Sequence, residues 1–166
     1  MAGLSLTRRL LLLSLLAACA RGPRFLSYDG PQVTEIRVYK TDRTMELLHG
    51  ETVLRRYEIG LGFAPEGHKE REGDGRTPEG LYHIDRRNPQ SAYHLSVGIS
   101  YPNEADRARA RELGVDPGGD IFIHGRGPNH RRARGDWSVG CITVTDREIE
   151  EIYSMVGLQT PIMILP

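Results

Sequence analysis

Cys141 and His124 stand seventeen residues apart, in two segments whose composition suits presenting them. His124 ends the apolar triplet Ile121-Phe122-Ile123, which reads as a buried strand, and Gly125 follows at once, so backbone there can approach a bound group closely. Cys141 comes after Ser138, Val139 and Gly140 in a tight segment and heads the β-branched run Ile142-Thr143-Val144. A thiol, an imidazole and closely spaced backbone amides are the minimum kit for acyl transfer through a thioester. A thiolate attacks carbonyls far better than a thiol, so the cysteine needs a base or cation nearby. His124 would take the thiol proton and return it to the leaving amine. A third group should orient the ring, either a carboxylate or a backbone carbonyl near Gly125. Amides around Gly140 and Cys141 would face the developing oxyanion.

Other readings compete at the same residues. An isolated cysteine is more commonly a small buried hydrophobe than a nucleophile. A metal reading would take His124, His130, Asp136 and Cys141 as ligands, but compact zinc spacing is missing, so neither a metal nor a cofactor is expected. Trp137, beside Ser138, is either a wall of the site or core. The segment between the two reactive residues carries Arg126, Arg131, Arg132 and Arg134. Arginine forks suit carboxylates, although such a run also suits a solvated loop.

The elements that must hold these residues begin with an export signal. Arg8 and Arg9 precede Leu10 to Leu13 and Leu15 to Ala18, a basic region followed by an apolar stretch too short to span comfortably as a permanent helix. Residues 1–18 are therefore expected to be a secretory signal. They end Leu16-Ala17-Ala18-Cys19, which resembles the lipobox of bacterial lipoproteins, with Cys19 lipidated and the protein held at the membrane, exported to the periplasm. Thr7-Arg8-Arg9 faintly resembles a twin-arginine signal. If Cys19 carries lipid, Cys141 is the free thiol of a compartment that oxidises thiols, which favours a kept reactivity. The whole chain has 22 basic and 22 acidic residues, and the export segment removes two arginines and no acid, leaving 20 against 22. Near-neutral balance excludes nucleic acid as the expected partner, and nothing in the composition points beyond a monomer.

Residues 19–32 read as a tether and 33–166 as one domain. Ile36, Val38 and Tyr39, then Met45, Leu47 and Leu48, then Val53 to Ile59 form three strands joined at Asp42-Arg43 and His49-Gly50-Glu51, an antiparallel meander. Gly60 to Gly80 is a loop of tight turns; its glycines do not make a phosphate loop, because no Gly-Lys-Ser or Gly-Lys-Thr follows. Leu81 to Asp85 and Tyr93 to Ile99 alternate as two more strands, which places His83 and His94 inside strands, with His94 a lesser candidate for the site. Asn103 to Leu113 is a helix capped by asparagine and stopped by Gly114. Thr145 and Glu148 make a capping box for a second, carrying Ile149, Ile152, Tyr153 and Val156 inward until Gly157, and Pro161 to Leu165 is a last strand.

At Thr77-Pro78-Glu79-Gly80, His124-Gly125 and Ser138-Val139-Gly140-Cys141 the sequence resembles the L,D-transpeptidase (YkuD-like) family of bacterial cell-wall enzymes, over nearly all of the chain after the export segment. The resemblance implies a mainly β fold, an L,D-transpeptidase-like β-sandwich with two short helices. It implies Cys141 as nucleophile, His124 as base and the Gly125 carbonyl as the group orienting the ring. The residues expected at the substrate are Gly125, Ser138, Gly140, Trp137 and Arg126. It also implies peptidoglycan stem peptides as substrate, attacked at an L-centre such as diaminopimelate with loss of a D-amino acid, and hence a part in cell-wall organisation and cell shape. Two positions depart from the pattern. Val139 stands where members typically have a second histidine, and Thr143 where they often have arginine. Both changes resemble a subgroup that includes enzymes hydrolysing links to peptidoglycan, so the expectations are a transpeptidase, an amidase or L,D-peptidase using water as acceptor, or a non-catalytic peptidoglycan-binding lipoprotein.

Overall fold

Alternating burial marks β1 (Glu35–Tyr39), while β2 (Thr44–His49) buries Met45 through Leu48 and β3 (Thr52–Glu58) buries only Tyr57, in a computed structural model that describes residues 23–166. The expected export segment and the lipidation site at Cys19 lie outside the described residues. Ile36 and Val38 point inward from β1, both fully buried, and β1, β2 and β3 pair antiparallel in turn. The turns are local in origin: Arg43 and Gly50 both adopt positive φ, at the two hairpin tips. Residues 23–30, expected as tether, have no regular secondary structure, yet they lie on the protein: the Arg24 N–H donates to Glu150 at 2.9 Å and the Phe25 ring meets Tyr153 edge-on at 6.1 Å.

The remaining strands are β4 (Gly80–Asn88), β5 (Ser96–Ile99), β6 (Phe122–His124), β7 (Ile142–Thr143) and β8 (Pro161–Leu165). The C-terminal β8 inserts between β1, to which it is parallel, and β4, to which it is antiparallel, putting Ile162 beside Ile36 and Ile164 beside Val38. Each such fully buried isoleucine contributes roughly 1.5–3 kcal/mol over leaving it exposed. A register shift between Ile84 and Arg86 lets β4 turn from β8 to β5, and β6 and β7 complete one hydrogen-bonded sheet of eight strands in the order β3-β2-β1-β8-β4-β5-β6-β7. The fold is mainly β, as expected, and its strands join in this one curled sheet. Its ends meet: the chain leaving β3 pairs Gly60 with Thr143 and Gly62 with Ser138, so both edges converge on the segment that carries Cys141.

Among the described residues two helices flank the sheet. α1 (Glu104–Leu113) begins at a reciprocal Asn103–Asp106 box and stops where Gly114 turns left-handed at φ 66°. α2 (Asp146–Met155) begins at the Thr145–Glu148 box and buries Ile149, Ile152 and Met155 against the sheet; it ends at Val156 in extended conformation rather than at Gly157. No helix among them is long and apolar enough to cross a membrane.

Candidate active site

His124 ends β6, and β5 and β7 on either side fix its backbone: Ser96 stands opposite it on one side and Thr143 on the other. The ring is 4 % exposed, and its Nδ1 lies 2.6 Å from the Gly125 carbonyl. That short bond makes Nδ1 the donor and leaves Nε2 as the basic nitrogen. Tyr93 lies along one face of the ring, centroids 4.3 Å apart and tilted 30°, and Trp137 meets it edge-on at 5.8 Å. Gly125 has to be glycine, because a Cβ there would meet Asp146 Oδ1 at 2.7 Å and the Tyr93 carbonyl at 2.8 Å. The following turn is held by α2: Asp146 Oδ1 accepts the N–H groups of Arg126 and Gly127, each at 2.8 Å.

Cys141 immediately precedes β7. The pairing of Ile123 with Ile142 and of His124 with Thr143, continued one step, sets Cys141 beside Phe122, and strand alternation turns Cys141, Thr143 and His124 to one face. The sulfur accepts the Phe122 N–H at 3.4 Å and its thiol points to the Asp120 carbonyl at 3.5 Å; no hydrogen bond joins it to His124 among the described residues. The turn before it is braced by one hydroxyl: Ser138 Oγ donates to the Cys141 carbonyl at 2.6 Å and accepts the Gly140 N–H at 3.1 Å. Gly140, at φ 135°, occupies a conformation closed to other residues, and a Cβ on it would lie 2.7 Å from the Arg76 carbonyl. The 60–80 loop therefore forms the bed of this turn, and within it fully buried Thr77 accepts the Gly62 N–H at 3.2 Å. Replacing Ser138 with alanine should leave the buried Gly140 N–H without its acceptor and cost about 1–3 kcal/mol, read by denaturant unfolding; an unchanged midpoint would mean that the hydroxyl braces nothing.

Burial dominates the electrostatics. It pushes the His124 pKa below its ordinary 6.5, against the hydrogen bond to Gly125 and with a smaller push from His130. Burial also raises the Cys141 thiol above 9.0, opposed by the Phe122 N–H, with Asp120 raising it and Lys69 lowering it further. The resting pair is thus neutral thiol and neutral imidazole, an arrangement suited to general-base removal of the proton during attack rather than to a preformed thiolate.

The sequence-derived candidates separate into groups. His124, Gly125 and Trp137 cluster around one ring, while Ser138, Gly140 and Cys141 form one turn on the neighbouring strand. Arg126 lines a groove of about 440 Å³ shared with Trp137 and Thr143. His94 does not join them: it sits in a turn at φ 82°, before β5 begins at Ser96, and its Nε2 meets Glu150 at 2.8 Å. Of the residues weighed as metal ligands, Asp136 is held by a two-oxygen pair with Arg43 and by the Leu61 N–H. His130 stacks on Trp137, centroids 4.7 Å apart and planes 14° apart. Sequence reasoning missed Tyr93 as a ring neighbour of His124, and Asp146 and Glu150 as anchors. Asp146 and Glu150 are four apart on one helix face, the single sequence signal that marked them as a pair. A separate groove of about 580 Å³ between β4 and α1 includes none of these candidates.

Comparison with known proteins places these features in a family. The model of the L,D-transpeptidase catalytic domain, YkuD, matches residues 34–164. Over 127 residues the chain is 33 % identical to the Escherichia coli K12 protein YafK, named provisionally as an L,D-transpeptidase, covering 73 % of this chain and 46 % of YafK. The solved structure of the helical cell shape determining protein Pgp2 from Campylobacter jejuni is similar with a TM-score of 0.63 at 27 % identity, over 86 % of this chain and 51 % of Pgp2. Bd1075 from Bdellovibrio bacteriovorus gives 0.58 at 26 % identity, over 85 % and 51 %. The chain spans about half the length of the curated relatives it matches.

Proposed function

The chain belongs to the L,D-transpeptidase catalytic-domain family, and on that premise we propose that it is a cysteine-dependent L,D-transpeptidase acting on peptidoglycan stem peptides. The observation that carries this reading is the setting of His124, a buried neutral imidazole whose Nδ1 is tied to the Gly125 carbonyl, on the strand beside Cys141. In the proposed reaction the thiol turns from the Asp120 carbonyl toward Nε2 of His124, which takes its proton as sulfur attacks the carbonyl of the L-centre. The oxyanion forms at the Cys141 amide, since the Gly140 N–H is already engaged by Ser138. His124 then protonates the departing D-amino acid, leaving a thioester on Cys141. An acceptor amine, deprotonated by the same imidazole, takes the acyl group and frees the thiol. Export, a lipid anchor at Cys19, a periplasmic location, a monomeric state and a part in cell shape belong to the same proposal.

One observation favours a second outcome at the same thioester. Val139 is 65 % exposed and Phe63 58 % exposed, and the bridge between Gly62 and Ser138 sets their backbone segments side by side, with Val139 two residues before the nucleophile. An apolar lip offers nothing to an ammonium-bearing acceptor, which favours water and hence an L,D-peptidase or amidase. Incubating the full-length protein with muropeptides and weighing the products separates the readings. Cross-links or D-amino-acid exchange support transfer, shortened products support hydrolysis, and an unchanged mixture leaves only a binding protein. The electrostatics add a pH expectation: kcat/KM should fall on the acid side with a midpoint below 6.5, because the base must be unprotonated and burial lowers its pKa. An acid limb centred above 6.5 would show that His124 is not the titrating base.

A further inference from the structure

The groove beside Thr143 has a charge inventory that the reaction above does not use. Its cations come from the loop between β6 and β7, its anions from the end of β3 and the start of α2. Arg43 and Asp136 line it too, but they neutralise each other at 2.8 Å. Arg126 makes no side-chain hydrogen bond or ion pair among the described residues, and Arg134 reaches only the carbonyls of Arg131 and Ala133. Glu58 likewise has no partner there, and Glu148 spends one oxygen on Thr145. Arg126, Arg134, Glu58 and Glu148 thus share one open groove without pairing with each other, Arg134 and Glu58 on its exposed side. Thr143 lies two residues past Cys141 on the same strand face, about 6.6 Å along at ordinary strand rise, so the groove begins about two residue lengths along the strand from the nucleophile.

We propose that this groove is a subsite for a zwitterionic amino-acid group, a carboxylate and an ammonium on one carbon, with Arg126 and Arg134 taking the carboxylate and Glu58 the ammonium. The assignment rests on the reading of the chain as an acyl-transfer enzyme on stem peptides, and names what it recognises beside the scissile bond. Guanidinium forks match carboxylates, and a ligand bearing both signs satisfies both walls where a simple anion would leave Glu58 opposed. Two sources carry this chemistry: the side-chain amino-acid centre of a diamino-acid residue in the donor stem, and a free D-amino acid.

Binding to the full-length Cys141→Ala protein, measured by calorimetry, tests the subsite without turnover. The probes are a stem tetrapeptide whose diamino acid keeps its free carboxylate and amine, the same peptide amidated at that carboxylate, the same peptide acetylated at that amine, and free D-alanine. Arg126→Met with Arg134→Met should weaken the free peptide about tenfold or more and leave the amidated peptide unchanged. Glu58→Gln should weaken the free form and not the acetylated one. Either source supports the subsite: competition by D-alanine assigns it to the free amino acid, and tetrapeptide binding insensitive to D-alanine assigns it to the donor side chain. Equal affinity for free and amidated peptides, or equal losses for both in the arginine variant, overturns it. Because the nucleophile is absent from every arm, failure to form an acyl-enzyme in the wild type would count against the catalytic reading and not against this one.

Discussion

Cys141→Ala is expected to abolish product formation from muropeptides, by roughly 10⁴-fold or more, while the protein stays folded. The sulfur is the atom to which the acyl group must be attached, and no second thiol lies among the described residues to take its place. Its structural duties are slight, an accepted N–H from Phe122 and a weak S–H contact to Asp120, so its removal should cost no more than about 1 kcal/mol. The fold of the turn depends instead on Ser138, Gly140 and the 60–80 loop. Intact-mass spectrometry supplies the direct observation: wild-type protein mixed with substrate should gain the mass of the donor acyl group, and the alanine variant should gain none. An acylated alanine variant, or one retaining measurable turnover at an unchanged melting temperature, would remove the sulfur from the chemistry.

How much of this was legible in the chain follows from how local each cause is. The helix starts at Asn103 and Thr145 were readable because each capping box closes within three residues. The meander was readable because alternation at Ile36 and Val38 and turns at Arg43 and Gly50 need no distant partner. That His124 and Cys141 come to neighbouring strands could be suspected from residue types and flanking glycines. What was hidden depends on contacts between residues far apart in sequence. The placing of β8 between β1 and β4 is decided by Ile162 meeting Ile36, and the curl by Gly60 meeting Thr143; neither signal exists in either segment alone. His94 looked like a strand residue by alternation, yet it sits in a positive-φ turn with a hydrogen bond to Glu150, 56 positions away, while its neighbour Tyr93 lies on His124. Asp136 was weighed as a metal ligand and set aside, but its actual partner could not be read either, because nothing in its own segment reveals Arg43.

His124→Gln should lower kcat by about 10²–10⁴-fold, and the way it fails distinguishes the proposed base from a merely structural ring. Glutamine is close to the imidazole in length and polarity, so much of the local packing survives, but it cannot accept and return a proton. The variant should therefore lose the acid limb of the pH profile along with the rate, since that limb belongs to the imidazole. It should also change the alkylation of Cys141 very little. In the wild type the thiol is held above 9.0 mainly by burial, and the neutral imidazole lends it no charge, so reaction with iodoacetamide should rise only in alkaline solution in both proteins. A preformed thiolate–imidazolium pair would behave oppositely: the wild type would alkylate rapidly near neutrality, and His124→Gln would slow it strongly. That pattern would contradict the neutral pair, whereas a variant retaining near wild-type kcat would contradict the assignment of His124 as base.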